Sequence, residues 1–218
     1  MPELHSSSRR LVLGVLASGR GSNLQAIIDA IEAGRLSAEI AVVISNKKVA
    51  GALERAKAHQ IPDIFEDPKN YQSREDYDAF LAGCLKKYHV DLIILAGYMR
   101  LITTQLIQPF QERIINIHPS LLPAFPGLHA QRQALSYGVK VSGCTVHFVD
   151  EKMDHGPIIS QSVVPVYEED TEETLSERIL VQEHQLLPEV IQKISEGKTG
   201  IKGRRVFIAQ ESNLRSTP

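Results

Sequence analysis

The spacing of apolar positions switches repeatedly between short runs and a helical repeat, and each switch predicts an element. Residues 11–17 form a continuous apolar run, the pattern of a buried strand. Leu24, Ile27, Ile28 and Ile31 then fall at i, i+3, i+4 and i+7, one face of an amphipathic helix. Residues 39–45 read as a second strand and 49–59 as a second helix. Ser73-Arg74-Glu75-Asp76 resembles a capping box, and the helix it opens carries Tyr77, Phe80, Leu81, Cys84, Leu85 and Tyr88 on one face. The fully apolar stretch 92–96 is a strand of the kind buried in a parallel sheet, and 113–117 is another. A proline-rich loop at 119–126 leads to a helix over 129–137 and to strands over 144–149 and 158–166. A long helix covers 170–195, bent at Pro188, where a backbone hydrogen bond is lost. This alternation predicts an α/β fold, a Rossmann-like three-layer sandwich on a mostly parallel central sheet. No repeat or linker divides the chain, so a single domain over 9–209 is expected, with flexible polar tails at 1–8 and 210–218.

Composition mainly excludes. A chain of 218 residues can bury about 70% of the surface its unfolded form exposes, so it needs no disulfide staples. Its 24 Lys+Arg against 26 Asp+Glu give a formal charge of −2, with no basic footprint for nucleic acid. Cys84 and Cys144 are too few for a disulfide framework or a cysteine-rich zinc site. The longest apolar stretch, 92–99, falls far short of the ~20 residues that span a bilayer. Arg9-Arg10 followed by the 11–17 run could be a short secretion signal, but a strand entering a glycine loop explains the same residues better. A cytoplasmic protein is expected.

Candidate chemistry clusters where parallel strands end, since ligands of such sheets bind outside the carboxyl ends of strands. Ser18-Gly19-Arg20-Gly21-Ser22-Asn23 joins the first strand to the first helix. Glycines there let the backbone approach a ligand, and the helix N-terminus offers free N–H groups, so a phosphate is favoured. The third glycine of a dinucleotide fingerprint is missing, as is a Gly-Lys-Ser/Thr ending, so a monophosphate ester fits better than a nicotinamide. The plainer alternative is a tight turn capped by Ser22 or Asn23. Asn116 and His118, two apart on a strand, point to one side and form a donor pair suited to a developing oxyanion. A hydrogen-bonded core histidine would explain His118 as well. Asp154, before His155-Gly156-Pro157, could hold His118 protonated if the two are close, or could simply form a turn. His147 is weighed evenly between a site role and a satisfied strand histidine. No histidine spacing indicates a metal.

Five blocks together carry a resemblance. Gly21-Ser22-Asn23-Leu24, Leu95-Ala96-Gly97-Tyr98-Met99-Arg100, Asn116-Ile117-His118-Pro119-Ser120-Leu121-Leu122-Pro123, Pro126-Gly127-Leu128-His129 and Asp154-His155-Gly156-Pro157 resemble the phosphoribosylglycinamide formyltransferase family. The match runs in order from Leu11 to the helix over 170–195. It implies formyl transfer from 10-formyltetrahydrofolate, as co-substrate and without a metal, to the amine of phosphoribosylglycinamide in purine synthesis. It implies Asn116, His118 and Asp154 as the catalytic set, Gly21, Ser22 and Asn23 around the phosphate or ribose, and Glu183 near the glycinamide end. Arg74, Met99, Arg100, Leu101, Ile102 and Val149, with Asn116 and Asp154, would line the folate site, and Tyr98 would add to its apolar wall. Where some members carry a lysine near the phosphate, this chain has Leu180, which leaves Arg20 or the loop N–H groups to compensate. The expected partners are small molecules, with no nucleic acid or membrane, and the chain is expected to be a monomer or homodimer. A formyltetrahydrofolate hydrolase is one rival, although such enzymes carry an added N-terminal domain. Methionyl-tRNA formyltransferase is another, needing a further C-terminal domain and a basic tRNA face. A non-catalytic nucleotide-binding module is the rival from a different class.

Overall fold

The computed structural model describes residues 9–208, so the expected tails at 1–8 and 210–218, like Ala209, lie outside the described residues. The apolar run that could pass for a secretion signal is β1 (Leu11–Leu16), in the interior of the sheet. The chain continues through α1 (Ser22–Glu32), β2 (Ala38–Ser45), α2 (Gly51–Ala58), β3 (Asp63–Phe65), α3 (Arg74–Lys87), β4 (Leu92–Leu95), α4 (Thr104–Ile107) and β5 (Ile114–His118). It finishes with α5 (Ala130–Tyr137), β6 (Val141–Phe148), β7 (Ile158–Pro165), α6 (Glu172–Ser195), β8 (Thr199–Lys202) and β9 (Arg205–Ile208). No helix among the described residues is long and apolar enough to cross a membrane.

Strands β1–β7 form one sheet in the order β3-β2-β1-β4-β5-β6-β7. The first five pair in parallel, while β6 runs antiparallel to both β5 and β7. The mostly parallel sheet therefore stands, with an antiparallel margin on one side. Connections run outward from β1 to β2 and β3, then return to the other side at β4. The crevice between β1 and β4 is thus the switch point where such sheets bind ligands.

Two cores cover the sheet. On one face α1, α2 and α6 pack Leu24, Ile27, Leu53, Ile179 and Leu187 against Val15, Ile94, Ile115 and Val146. On the other face α3 and α4 pack Tyr77, Leu81, Leu85 and Leu106 against Leu16, Ile44, Ile93 and Ile114. Burying each such aliphatic side chain contributes about 1.5–3 kcal/mol.

Sequence signals fix the helix starts. The Ser73 hydroxyl accepts from the Asp76 N–H at the head of α3, and Thr171 and Thr174 form a reciprocal capping box at α6. Helix α6 runs uninterrupted through Pro188, which is buried within it. Three features depart from the sequence reading. The short edge strand β3 and the single-turn α4 carry too few residues to show a period, and the β8–β9 hairpin lies where the sequence pattern predicts no element. At α1, neither Ser22 nor Asn23 caps the helix. Gly21 is the N-cap, at φ 75° and with no side-chain cap bond.

Candidate active site

Along β5, Ile115 and Ile117 point into the first core, so Asn116 and His118 point to the opposite face. There the α3–α4 layer covers β1, β2 and β4, and the β5–β6 end of the sheet is covered by loops. Pairing with β6 sets His147 opposite Asn116 and Thr145 opposite His118. The loop after β6 leaves the sheet level with Ile115 and folds back, bringing Asp154 to both β5 side chains. Asn116 Nδ2 lies 3.5 Å from Asp154 Oδ1, and His118 Nδ1 lies 3.5 Å from Asp154 Oδ2. The strand-end rule locates the β5 pair. It does not locate Asp154, which arrives from a hairpin on the antiparallel margin.

Hydrogen bonding decides which atoms are available. His118 Nε2–H donates to the Phe125 carbonyl at 2.9 Å, leaving Nδ1 to face Asp154. His147 Nδ1–H donates to the Phe148 carbonyl at 2.8 Å, and its Nε2 accepts from Asn116 Nδ2 at 3.1 Å. That arrangement needs a neutral His147, and burial lowers its pKa in the same direction. The Asn116 amide is thereby oriented with its N–H₂ toward His147 and Asp154. Asp154 Oδ2 also accepts from the Gly127 N–H at 2.7 Å, which fixes the carboxylate from the other side.

The loop over 119–126 is held by polar atoms that the sheet buries. Thr145 Oγ1 donates to the Ser120 carbonyl at 2.6 Å and accepts from the Leu122 N–H at 3.0 Å. Gln161 Nε2 donates to the Leu122 carbonyl, and Ser120 Oγ to the Ala124 carbonyl. These bonds place the Phe125 carbonyl that holds His118. Asp154 adopts φ 49°, the left-handed region, which disfavours a non-glycine residue by on the order of 1 kcal/mol. Two residues on, a Cβ at Gly156 would overlap the Phe148 carbonyl oxygen, so only glycine lets the loop close there.

The glycine loop forms a second cluster. A Cβ on Gly21 would come within 2.7 Å of Ala52 Cα, so this position needs glycine both for its dihedral and for its close approach to α2. Helix α2 also ties the loop directly: the Ala52 N–H donates to the Gly19 carbonyl at 3.1 Å and Arg55 Nε to the Arg20 carbonyl at 2.9 Å. Arg20, Gln25, Gly51, Glu54, Arg55 and Ala58 line a cleft of about 320 Å³ beside the loop. Asn23 Nδ2 donates to buried Glu183 Oε2 at 2.7 Å, and burial raises the Glu183 pKa. Asn23 Oδ1 is buried with no hydrogen-bond partner among the described residues.

A third segment, 97–103, bridges the two clusters. Ser18 Oγ accepts from the Met99 N–H at 2.8 Å and donates to Asn46 Oδ1 at 2.6 Å, joining the ends of β1, β2 and β4. Met99 and Leu101 hold their side chains in solvent, 66% and 53% exposed, and Met153 of the hairpin loop is 54% exposed. Arg100 lies over the Tyr77 ring at 5.2 Å, and Asp78 binds the Thr103 N–H. Arg74 is exposed on the first turn of α3, one turn before Asp78 and on the same helix face. Tyr98, Ile102 and Val149 are half-buried. The structure thus joins Asn116, His118 and Asp154, and separately Asn23 and Glu183, while among the described residues no side-chain bond of Arg74 ties it to either cluster. His147, Thr145 and Arg55 join the site only through pairings between distant segments. No group of three or more His, Cys, Asp or Glu among the described residues is arranged to hold a metal ion.

The chain's relatives bear on this geometry. A sequence profile described as formyl transferase matches residues 11–191. The phosphoribosylglycinamide formyltransferase of Bacillus subtilis is 46% identical over 180 residues, covering 83% of this chain and 92% of the relative. The trifunctional purine biosynthetic protein adenosine-3 of Drosophila melanogaster is 48% identical over 193 residues, and the matched part spans only 14% of that protein's length. The crystal structure of glycinamide ribonucleotide transformylase 1 from Symbiobacterium toebii superposes with a TM-score of 0.93 at 52% identity. That match covers 96% of this chain and 99% of the other.

Proposed function

The chain belongs to the formyl transferase family, and on that footing we propose that it moves a formyl group from 10-formyltetrahydrofolate to the amine of phosphoribosylglycinamide. The observation that carries the reading is the convergence of Asn116, His118 and Asp154 with His118 Nε2 already committed to the Phe125 carbonyl. Only Nδ1 of His118 is then left to meet a substrate, and it donates there only as imidazolium, beside the Asp154 carboxylate.

The formyl-folate supplies an activated formyl carbon. Attack by the neutral amine forms the new C–N bond, the bond to N10 breaks, and the proton lost by the amine ends on N10. One Asn116 Nδ2–H stays on His147, while the other leaves its long 3.5 Å contact with Asp154 Oδ1 and, together with His118 Nδ1–H, donates to the formyl oxygen as negative charge develops on it. Each such donor is worth about 2.7–4 kcal/mol in a transition state. Asp154 holds the imidazolium and, through water, relays the amine proton. The exposed apolar side chains of Met99, Leu101 and Met153 suit the faces of the folate's ring systems, with the 100–102 backbone, Val149 and Arg74 as further contacts. The Gly21–Asn23 turn takes the phosphate or ribose, supported by Arg20 and Arg55 in the cleft that Glu54 also lines, and Glu183 takes the glycinamide end. This reading goes with small-molecule partners and a cytoplasmic location, and treats 9–209 as one formyltransferase unit, monomeric or homodimeric.

The test is to incubate the protein with 10-formyltetrahydrofolate, with and without phosphoribosylglycinamide, and follow folate absorbance. Turnover should require the amine. Loss of the formyl group without amine would point to a hydrolase, and no change in either arm would overturn the enzymatic reading. Asp154→Asn should depress turnover strongly while leaving binding of both substrates largely intact, and near-normal turnover in that variant would remove Asp154 from its role.

A further inference from the structure

The β8–β9 hairpin turns through Gly203-Arg204, and Arg204 reaches back to the loop that carries Asp154. Its Nη2 donates to the His155 carbonyl at 2.7 Å, and its Nη1 lies 3.2 Å from His155 Nε2 and 3.3 Å from Nδ1, so the guanidinium rests against the ring and not at one nitrogen. The ring Nδ1 donates to Asp150 Oδ2 at 2.7 Å, and Asp150 Oδ1 in turn accepts from the Lys152 N–H at 3.0 Å. Asp150, His155 and Arg204 are thus in contact in sequence, which ties the loop to the hairpin. The Asp150–His155 pair closes the loop across five residues, and the carbonyl that Arg204 grips belongs to the residue directly after Asp154.

Asp154 needs such support. Its left-handed backbone is disfavoured for a non-glycine residue, and its carboxylate must reach Gly127 N, Asn116 and His118 at once. If the 154–155 peptide rotated toward a relaxed conformation, the carboxylate would swing off all three. We propose that Arg204 is a positioning residue for Asp154, and that the C-terminal hairpin is a latch on the active-site loop. Its effect on turnover rests on the function proposed above; its effect on the loop does not.

The experiment has two readouts on wild type, Arg204→Ala, Arg204→Lys and a control on the same hairpin, Arg205→Ala. The first is amide hydrogen exchange at Gly127, whose N–H is held by Asp154 Oδ2. Exchange should accelerate about 5- to 30-fold in R204A, the factor expected for loss of a contact of this size. It should return part of the way in R204K, which keeps one donor, and stay at the wild-type rate in R205A. The second is kcat for amine-dependent formyl transfer, measured for R204A alone and in the D154N background. The fall should match the exchange effect in the first case and shrink below about 2-fold in the second, with KM for the ribonucleotide unchanged, because contacts that act through one another are non-additive. Unchanged Gly127 exchange in R204A would overturn the latch, as would an equal loss of kcat in the D154N background. A wild type without transferase activity would refute the proposed function, and the exchange data would still decide the latch. Should R204A fail to fold, R204K goes through the same two measurements.

Discussion

His147 shows how one buried ring decides the behaviour of its neighbour. A neutral imidazole that gives Nδ1–H to the Phe148 carbonyl has only an acceptor left, and that acceptor orients Asn116. His147→Ala should therefore lower kcat, by less than the roughly 100-fold that outright loss of the Asn116 donor would cost, with smaller changes in KM, as steady-state kinetics would report. His147→Gln, which can still present an oxygen to Asn116, should recover part of it. Glu183 makes the opposite bargain between stability and function. Burial holds its carboxyl above the usual range, so the fold keeps its proton to a higher pH than the unfolded chain does. Stability from this group is full below about 4.5, the ordinary value, and is lost as pH rises through the raised folded value. Glu183→Gln cannot ionise and still accepts from Asn23. Its melting temperature should match the wild type near pH 4 and exceed it near pH 8, by about 2–4 °C per kcal/mol. The same variant should bind the ribonucleotide more weakly, and a wild type that melts higher at pH 8 would mean the carboxylate is paired. Asn116 and His118 were legible because strand alternation puts neighbours two apart on one side. His147 was not, because its partner stands 31 positions away and only the β5–β6 register brings them together.

Among the elements, α2 is more than a crossover helix. Its first turns seat the glycine loop through Ala52 N–H and Arg55 Nε, and Arg55 Nη1 also donates to Gln25 Oε1 of α1 at 2.9 Å. Removing that guanidinium frees the loop while leaving the Asn116 cluster untouched. Arg55→Ala should raise KM for phosphoribosylglycinamide about 10-fold with kcat nearly unchanged, and Arg55→Lys should behave similarly, since a lysine keeps the charge but not the fork. A loss confined to kcat would put Arg55 elsewhere in the mechanism. The periodic elements β1, α1, β2, α3 and α6 announced themselves by a sustained apolar pattern, which a side-chain cap reinforces at α3 and α6. The short β3 and α4 have no room for a period. In β8–β9 the half-buried Ile201, Val206 and Ile208 alternate with exposed residues over only four positions per strand, too few to separate from a loop.

For the whole molecule, the sheet divides labour between its two margins. The parallel part builds the switch-point crevice and the glycine loop, both foreseeable from strand–helix alternation. The antiparallel part delivers Asp154 and His147, which were candidates in the sequence but whose approach to Asn116 and His118 no local pattern announces. Candidate residues were therefore most legible where chemistry sits at the end of a parallel strand, and least where it depends on a hairpin folding back. Charge stays in the background at this scale. With 24 Lys+Arg against 26 Asp+Glu, the anionic substrates of the proposed reaction would be drawn by local groups such as Arg20 and Arg55 and not by a general field.

The β5–β6 register also bears on how this chain can change length. Val146 and Phe148 pack in the core while His147 between them faces Asn116. One residue inserted into β6 ahead of Val146 would turn every later side chain to the opposite face, exposing the core pair and burying the histidine on the wrong side. Folding and catalysis would fail together, so β6 cannot drift by single residues and keep either. The turn at Gly34, where a side chain would meet open space, is free of this coupling. A residue inserted there should leave both soluble yield and turnover near wild type, while the same insertion between Cys144 and Thr145 abolishes both. The strand pairing thus acts as a ruler for the whole family of sequences that can occupy this fold and keep its chemistry.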